Sequence, residues 1–245
     1  MKTSLLFAFI FLSAICLHGQ PAKQKPSGNK TVTTVKKKPT TSQTGTNPVV
    51  PERLVEITTT YGTMVARLYN STPLHRDNFI KLVNQQFYDS LLFHRVIDQF
   101  MIQGGDPNSR HAGENQMLGS GSAPGEKIPA EFSPTFFHKK GALAAARDNN
   151  PNKLSSNCQF YIVHGKKITD DELQKLKENN TALAYTNMQL EVYKRLGGVP
   201  FLDQNYTVFG EVISGLNIID KIAKTTPGAN NRPANDVIMK IRMLN

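Results

Sequence analysis

Apolar and polar positions change period several times along this chain, and each change predicts an element. Residues 54–60 and 63–69 alternate with period two and meet at Tyr61-Gly62, the pattern of two strands joined as a hairpin. Thr72 then precedes Pro73, a capping residue followed by the residue best suited to the first helical position. Leu74, Phe79, Leu82 and Val83 make one apolar stripe, so an amphipathic helix is expected over 73–85, with His75 at the surface of its polar first turn. Phe93, Arg95 and Ile97 alternate against His94, Val96 and Asp98 as a further strand. A strand over 100–103 follows, ended by Gly104-Gly105-Asp106-Pro107. On it Met101 and Gln103 share one face, and Phe100 and Ile102 share the other unless a bulge re-aims one of them.

The second half continues the strand pattern. After a Gly/Ser/Asn/Pro-rich loop over 110–125 come the small-residue run 141–147 and the apolar run 158–163. Residues 166–200 break the pattern with two helical periodicities, one around Leu173 and Leu176 and one around Leu190, Val192, Tyr193 and Leu196. They read as a surface insertion of one or two helices, with partner docking or substrate gating as the alternative. A strand over 206–213, a short helix over 215–223 and an alternating strand over 236–243 complete a mainly β chain of about eight strands and two framework helices.

Composition changes this picture only at the front. The 245 residues carry a net charge of +10, but positions 1–47 hold seven lysines and no acidic residue, leaving +3 for the remainder. The basicity therefore gives the folded part no nucleic-acid character. Lys2 and the apolar run 5–17 have the layout of a secretory signal peptide over 1–19, too short to span a bilayer. Export to the periplasm or the outside is expected, with no stable membrane insertion after cleavage. A lipid anchor at Cys16 fits poorly, because Ile15 stands where a small residue is needed. Residues 20–50 are rich in Lys, Thr, Ser and Pro, the composition of a disordered linker, and the folded domain is expected over 51–245. With Cys16 removed, Cys158 has no partner for an internal disulfide.

The stretch from Phe93 to Pro107 carries the chemistry. An arginine in so apolar a run is costly to bury and needs a partner or a task; Asp98 and Glu131 are the candidate ion-pair partners. Phe-His-Arg at 93–95, Phe-Met at 100–101 and Gln-Gly-Gly-Asp at 103–106 resemble the signature of the cyclophilins, the cyclophilin-type peptidyl-prolyl cis/trans isomerases. Asn78-Phe79, the small-residue run ending at Ala146, Gln159-Phe160-Tyr161 and Phe201-Leu202-Asp203 extend the resemblance over most of 55–244, with a lapse over 166–200.

The resemblance implies a closed eight-stranded antiparallel barrel capped by two helices. It implies catalysis by Arg95 and Gln103, with substrate bound by Phe100, Met101, Ala146, Arg147, Gln159, Tyr161, Phe201, Leu202 and Tyr206. The implied substrates are Pro-containing polypeptides, with added-strand pairing at Ala146-Arg147 and a role in protein folding. Rotation about an X–Pro bond breaks no bond, so no metal or other cofactor is expected. Three positions depart from the commonest family pattern: Phe201 for tryptophan, Tyr206 for histidine and Arg147 for asparagine. The first implies weak cyclosporin binding. A non-enzymatic chaperone or adaptor holding Pro-peptides in the same groove is the alternative. A cysteine hydrolase using Cys158 with His94 or His164 is disfavoured, because that cysteine lies in an apolar strand.

Overall fold

The first hairpin closes through Thr59, whose hydroxyl donates to the Gly62 carbonyl at 2.9 Å and accepts from the Tyr61 N–H at 3.1 Å. Gly62 has φ 129°, and a Cβ there would lie 2.6 Å from the Ile218 side chain, so turn and neighbour both require glycine. The computed structural model describes residues 50–179 and 184–244; the expected signal peptide and nearly all of the expected linker lie outside them. The described residues form nine strands: β1 (Arg53–Thr59), β2 (Gly62–Leu68), β3 (Leu91–Leu92), β4 (Arg95–Ile97), β5 (Met101–Gly104), β6 (Ala142–Ala145), β7 (Phe160–Val163), β8 (Val208–Ser214) and β9 (Ile238–Leu244). They also form four α-helices: α1 (Pro73–Asn84), α2 (Asp170–Asn179), α3 (Asn187–Leu196) and α4 (Leu216–Ala223).

All nine strands join one curled antiparallel sheet in the order β3-β9-β1-β2-β8-β6-β7-β5-β4. This corrects the expectation of eight strands in a closed barrel. The strand expected from Phe93 starts only at Arg95: the chain bends at Phe93-His94, so Leu91 and Leu92 pair with β9 while Arg95–Ile97 pair with β5. A period-two pattern passes through such a bend unchanged, which is why 93–98 reads as a single strand. The two ends of the sheet carry no ladder between them but approach closely. A Cβ on Gly104 would lie 2.9 Å from the Leu92 carbonyl oxygen.

Alternation on β5, β6 and β7 divides their side chains between two clusters. Ile102, Leu143, Ala145, Phe160 and Ile162 join the main core inside the curl, where Phe79 of α1 meets the rings of Tyr88, Phe160 and Phe209 at 5.0, 5.5 and 5.4 Å. Met101, Ala142, Ala144, Tyr161 and Val163 point outward into a second buried cluster. Ile218, Ile219 and Ile222 of α4 are also buried in the main core. The segment 166–200 holds α2 and α3, whose Leu173, Leu190 and Tyr193 form a third cluster with Ile168.

The start of α1 differs from expectation. Thr72 makes no side-chain cap; instead the Glu131 carboxylate accepts from the Leu74 and His75 N–H groups, each at 3.0 Å. The same carboxylate lies 2.6 Å from His75 Nδ1, so His75 is buried, not at the surface, and Leu74 is exposed. A distant acid at a helix N-terminus, favoured by the helix dipole, has turned the first turn inward.

Candidate functional site

The outward cluster forms an apolar floor beside a row of polar side chains. Strand pairing sets Arg95 of β4 opposite Gln103 of β5, and Gln103 opposite Tyr161 of β7. Arg95 Nη1 lies 3.3 Å from Gln103 Oε1 and 3.9 Å from Met101 Sδ, and its guanidinium carbon lies 5.7 Å from the Phe100 ring centre. Neither candidate ion-pair partner reaches it. Asp98 lies 3.4 Å from His164 and Glu131 is taken by His75, so Arg95 has no carboxylate partner among the described residues. Burial lowers its pKa from the ordinary arginine value, yet the group stays charged at neutral pH.

Gln103 Nε2 donates onward to Gln159 Oε1 at 3.2 Å, and Gln159 Nε2 donates to the Gly119 and Gly121 carbonyls at 3.0 and 2.8 Å. This chain fixes both amide orientations and leaves Gln103 one further N–H to offer. The loop it holds is anchored from below by buried Asp106, which accepts from the Asn108 N–H at 2.8 Å and from the Gly119 N–H. A Cβ on Gly121 would fall 2.0 Å from Asp106 Oδ1, so the loop passes there only with glycine. Two grooves share Gln103. One, of about 540 Å³, is lined by His94, Arg95, Glu114 and Arg232; the other, of about 370 Å³, by Ala146, Arg147, Ser156 and Gln159.

Phe100, Met101, Tyr161 and Leu202 lie in one cluster, joined by Ile97 and Tyr206. Phe100 sits with Met101 and not with Ile102, because it precedes β5 in a turn in which Gln99 has φ 59°. Phe201 is 62% exposed and stacks on Phe100 at 5.7 Å, forming a rim. Arg147 folds over the Tyr206 ring at 4.7 Å, with Nε donating to the Asn205 carbonyl at 3.0 Å.

The expected strand-addition edge is half taken. The Ala146 N–H donates to the Gln159 carbonyl at 2.9 Å and its carbonyl accepts from Ser156 at 2.7 Å. Of the two residues, only Arg147 has main-chain groups without a partner among the described residues.

The pairing of His138 with Asp203 had no signal in the sequence. His138 Nδ1 lies 2.7 Å from Asp203 Oδ1 and Nε2 lies 2.9 Å from the Tyr161 hydroxyl; 65 positions separate the acid from the histidine. His94 is buried with neither ring nitrogen hydrogen-bonded among the described residues. Burial pushes the Cys158 thiol above its ordinary pKa, against a thiolate nucleophile. Among the described residues no group of three or more His, Cys, Asp or Glu is placed to hold a metal ion.

Fold and site together define a β-sheet protein with polar grooves beside an apolar patch. The family model described as cyclophilin type peptidyl-prolyl cis-trans isomerase/CLD matches residues 54–243. Proteins of Staphylococcus aureus and Staphylococcus epidermidis, provisionally assigned as peptidyl-prolyl cis-trans isomerases, are each 34% identical over 183 residues, covering 74% of this chain and 86% of their own. A Cryptosporidium parvum cyclophilin type isomerase shares the fold at TM-score 0.59 and 22% identity, covering 80% of this chain and 99% of its own. A second structure of that protein, in the presence of the dipeptide Ala-Pro, aligns at TM-score 0.55 and 22% identity, covering 78% and 99%. This chain belongs to the cyclophilin-type peptidyl-prolyl cis-trans isomerase family, and its activity is isomerisation of prolyl peptide bonds.

Proposed function

We propose that the isomerisation takes place at Arg95 and the Phe100–Met101–Tyr161–Leu202 patch. The observation that carries this reading is a guanidinium without a carboxylate, poised beside an apolar patch and a glutamine amide. The X–Pro amide resists rotation by about 18–20 kcal/mol, because its nitrogen lone pair is delocalised into the carbonyl. Burying three ring methylenes in the patch contributes up to about 2.4 kcal/mol to holding the proline in any state. Twisting localises the lone pair, and Arg95 donates to the nitrogen only then, so its contribution falls on the transition state. The free N–H of Gln103 holds the substrate main chain, and the Arg147 N–H and carbonyl pair with the peptide as an added strand.

The substrates are Pro-containing polypeptides, in keeping with the Ala-Pro dipeptide present in the Cryptosporidium protein's structure. Cyclosporin binds weakly, because Phe201 offers no indole N–H. Export, read from the charged and apolar order of 1–19, makes the role one of folding assistance outside the cytoplasm, with 20–50 as a tether. A protease-coupled assay on an X–Pro peptide tests the reading. Acceleration that saturates with peptide supports it; binding without acceleration replaces it with a peptide-holding chaperone.

A further inference from the structure

Asp203 is 3% exposed and accepts four hydrogen bonds. Two come from His138, through its main-chain N–H at 2.8 Å and Nδ1 at 2.7 Å. Two come from the segment 166–200, through the Tyr193 hydroxyl at 2.6 Å and the Tyr185 hydroxyl at 2.8 Å. Because a carboxylate faces Nδ1, that nitrogen carries a proton, and Nε2 meets the Tyr161 hydroxyl at 2.9 Å. Hydrogen bonds thus run from the patch, through His138, to one acid, and from two tyrosines beyond it to the same acid. Burial together with Asp203 raises the pKa of Tyr193 well above its ordinary value, so the hydroxyl remains a donor.

The acid also belongs to the rim. It directly follows Pro200–Leu202, the short turn that presents Phe201 and Leu202, and its N–H donates to the Pro200 carbonyl at 3.1 Å. The Tyr185 hydroxyl lies 3.3 Å from that same carbonyl. At its base the segment is locked by Val199 N–H to the His138 carbonyl at 2.9 Å and Gly198 N–H to the Lys166 carbonyl at 3.0 Å. Two walls of the patch, Tyr161 and the Phe201-Leu202 turn, therefore meet at a carboxylate that Tyr185 and Tyr193 hold in place.

We infer that Tyr185 and Tyr193 are positioning residues of the isomerase site, which set affinity for the proline ring through Asp203, His138 and Tyr161. The inference rests on the reading of the patch as the proline site. A wall that contacts the ring equally in its planar and twisted forms supplies uniform binding, so loosening it raises KM and leaves kcat nearly unchanged. Arg95, acting on the twisted amide, has the opposite signature.

The test uses the full chain with Tyr185→Phe, and with Tyr185→Phe and Tyr193→Phe together, which delete donors and keep the apolar third cluster. KM for an X–Pro peptide is expected to rise about tenfold in the double variant with kcat within about twofold. Thr169→Ala serves as the stability control. Its hydroxyl accepts from the Glu172 N–H at 3.3 Å at the start of α2, away from Asp203. It should lower the melting temperature and leave KM unchanged. A folded double variant with wild-type KM overturns the inference, as does a Thr169→Ala variant with the same rise in KM. If the double variant does not fold, the single Tyr185→Phe variant decides by the same criterion. A wild type without isomerase activity defeats the site reading instead, and the comparison is then made on peptide Kd.

Discussion

Replacing Arg95 by alanine separates chemistry from structure with unusual clarity here. The guanidinium has two neutral partners, Gln103 Oε1 at 3.3 Å and, more weakly, Met101 Sδ at 3.9 Å, and Gln103 keeps its bond to Gln159 when the arginine is gone. Asp98 and Glu131 have histidine partners of their own, so no acid is orphaned. The expected stability loss is that of one neutral hydrogen bond, about 1 kcal/mol, which lowers the melting temperature by about 2–4 °C in a domain of this size. The kinetic loss is larger. Removing one preorganised donor to a developing charge costs about 2.7–4 kcal/mol, or roughly 10²–10³ in kcat. Peptide affinity is expected to change little, since the patch formed by Phe100, Met101, Tyr161 and Leu202 is untouched. Arg95→Lys keeps the charge without the planar fork and should recover only part of the rate. The assay is protease-coupled isomerisation with a titration of the same peptide, after a melting curve has shown each variant folded. A folded Arg95→Ala variant with wild-type kcat would remove this residue from the mechanism.

Three further outcomes are expected. Phe201→Trp should tighten cyclosporin binding measured by calorimetry, because the exposed rim position gains an N–H donor; unchanged affinity in a folded variant would show that the rim does not control it. Burial lowers the pKa of His75, which faces Glu131, and of His94, which faces Asp106, Arg95 and Arg232. The unfolded chain therefore takes up protons first, so stability present above about pH 6.5 is lost as pH falls below it. Melting temperatures from pH 8 to 5 should show that decline, with a shallower slope in His94→Leu; a flat wild-type curve would contradict the buried neutral histidines. Deleting residues 20–49 should leave melting temperature and isomerase activity nearly unchanged, given their composition, and a fall of more than a few degrees would show that they dock.

What the sequence disclosed follows from how local each signal is. The first hairpin, α1 and the Arg95–Gln103 pairing are written in neighbouring residues, and the strand pattern that sets them is short-ranged. The bend at Phe93-His94 is not, because alternation continues through it while the pairing partner changes from β9 to β5. Glu131 caps a helix that begins nearly sixty residues earlier, so nothing near His75 announces its burial. The resemblance alone gives Ala146 a substrate-pairing edge, and only tertiary structure shows that Gln159 and Ser156 already bond its main chain. His138 and Asp203 are ordinary polar residues in sequence; their meeting depends on the whole turn of the sheet.

The two-sided strands β5, β6 and β7 limit how this site can be altered. Met101 and Tyr161 sit on the patch while their neighbours Ile102, Phe160 and Ile162 are sealed in the main core. A substitution that enlarges the floor must be absorbed by a backbone whose reverse side is already full, so a library randomised there should yield mostly insoluble protein. Phe201, Tyr206 and Arg147 hang from turns outside those strands, and the same library placed on them should yield soluble variants with redirected peptide preference. The floor is set by the folding of the sheet itself, and freedom to vary is left to the rim.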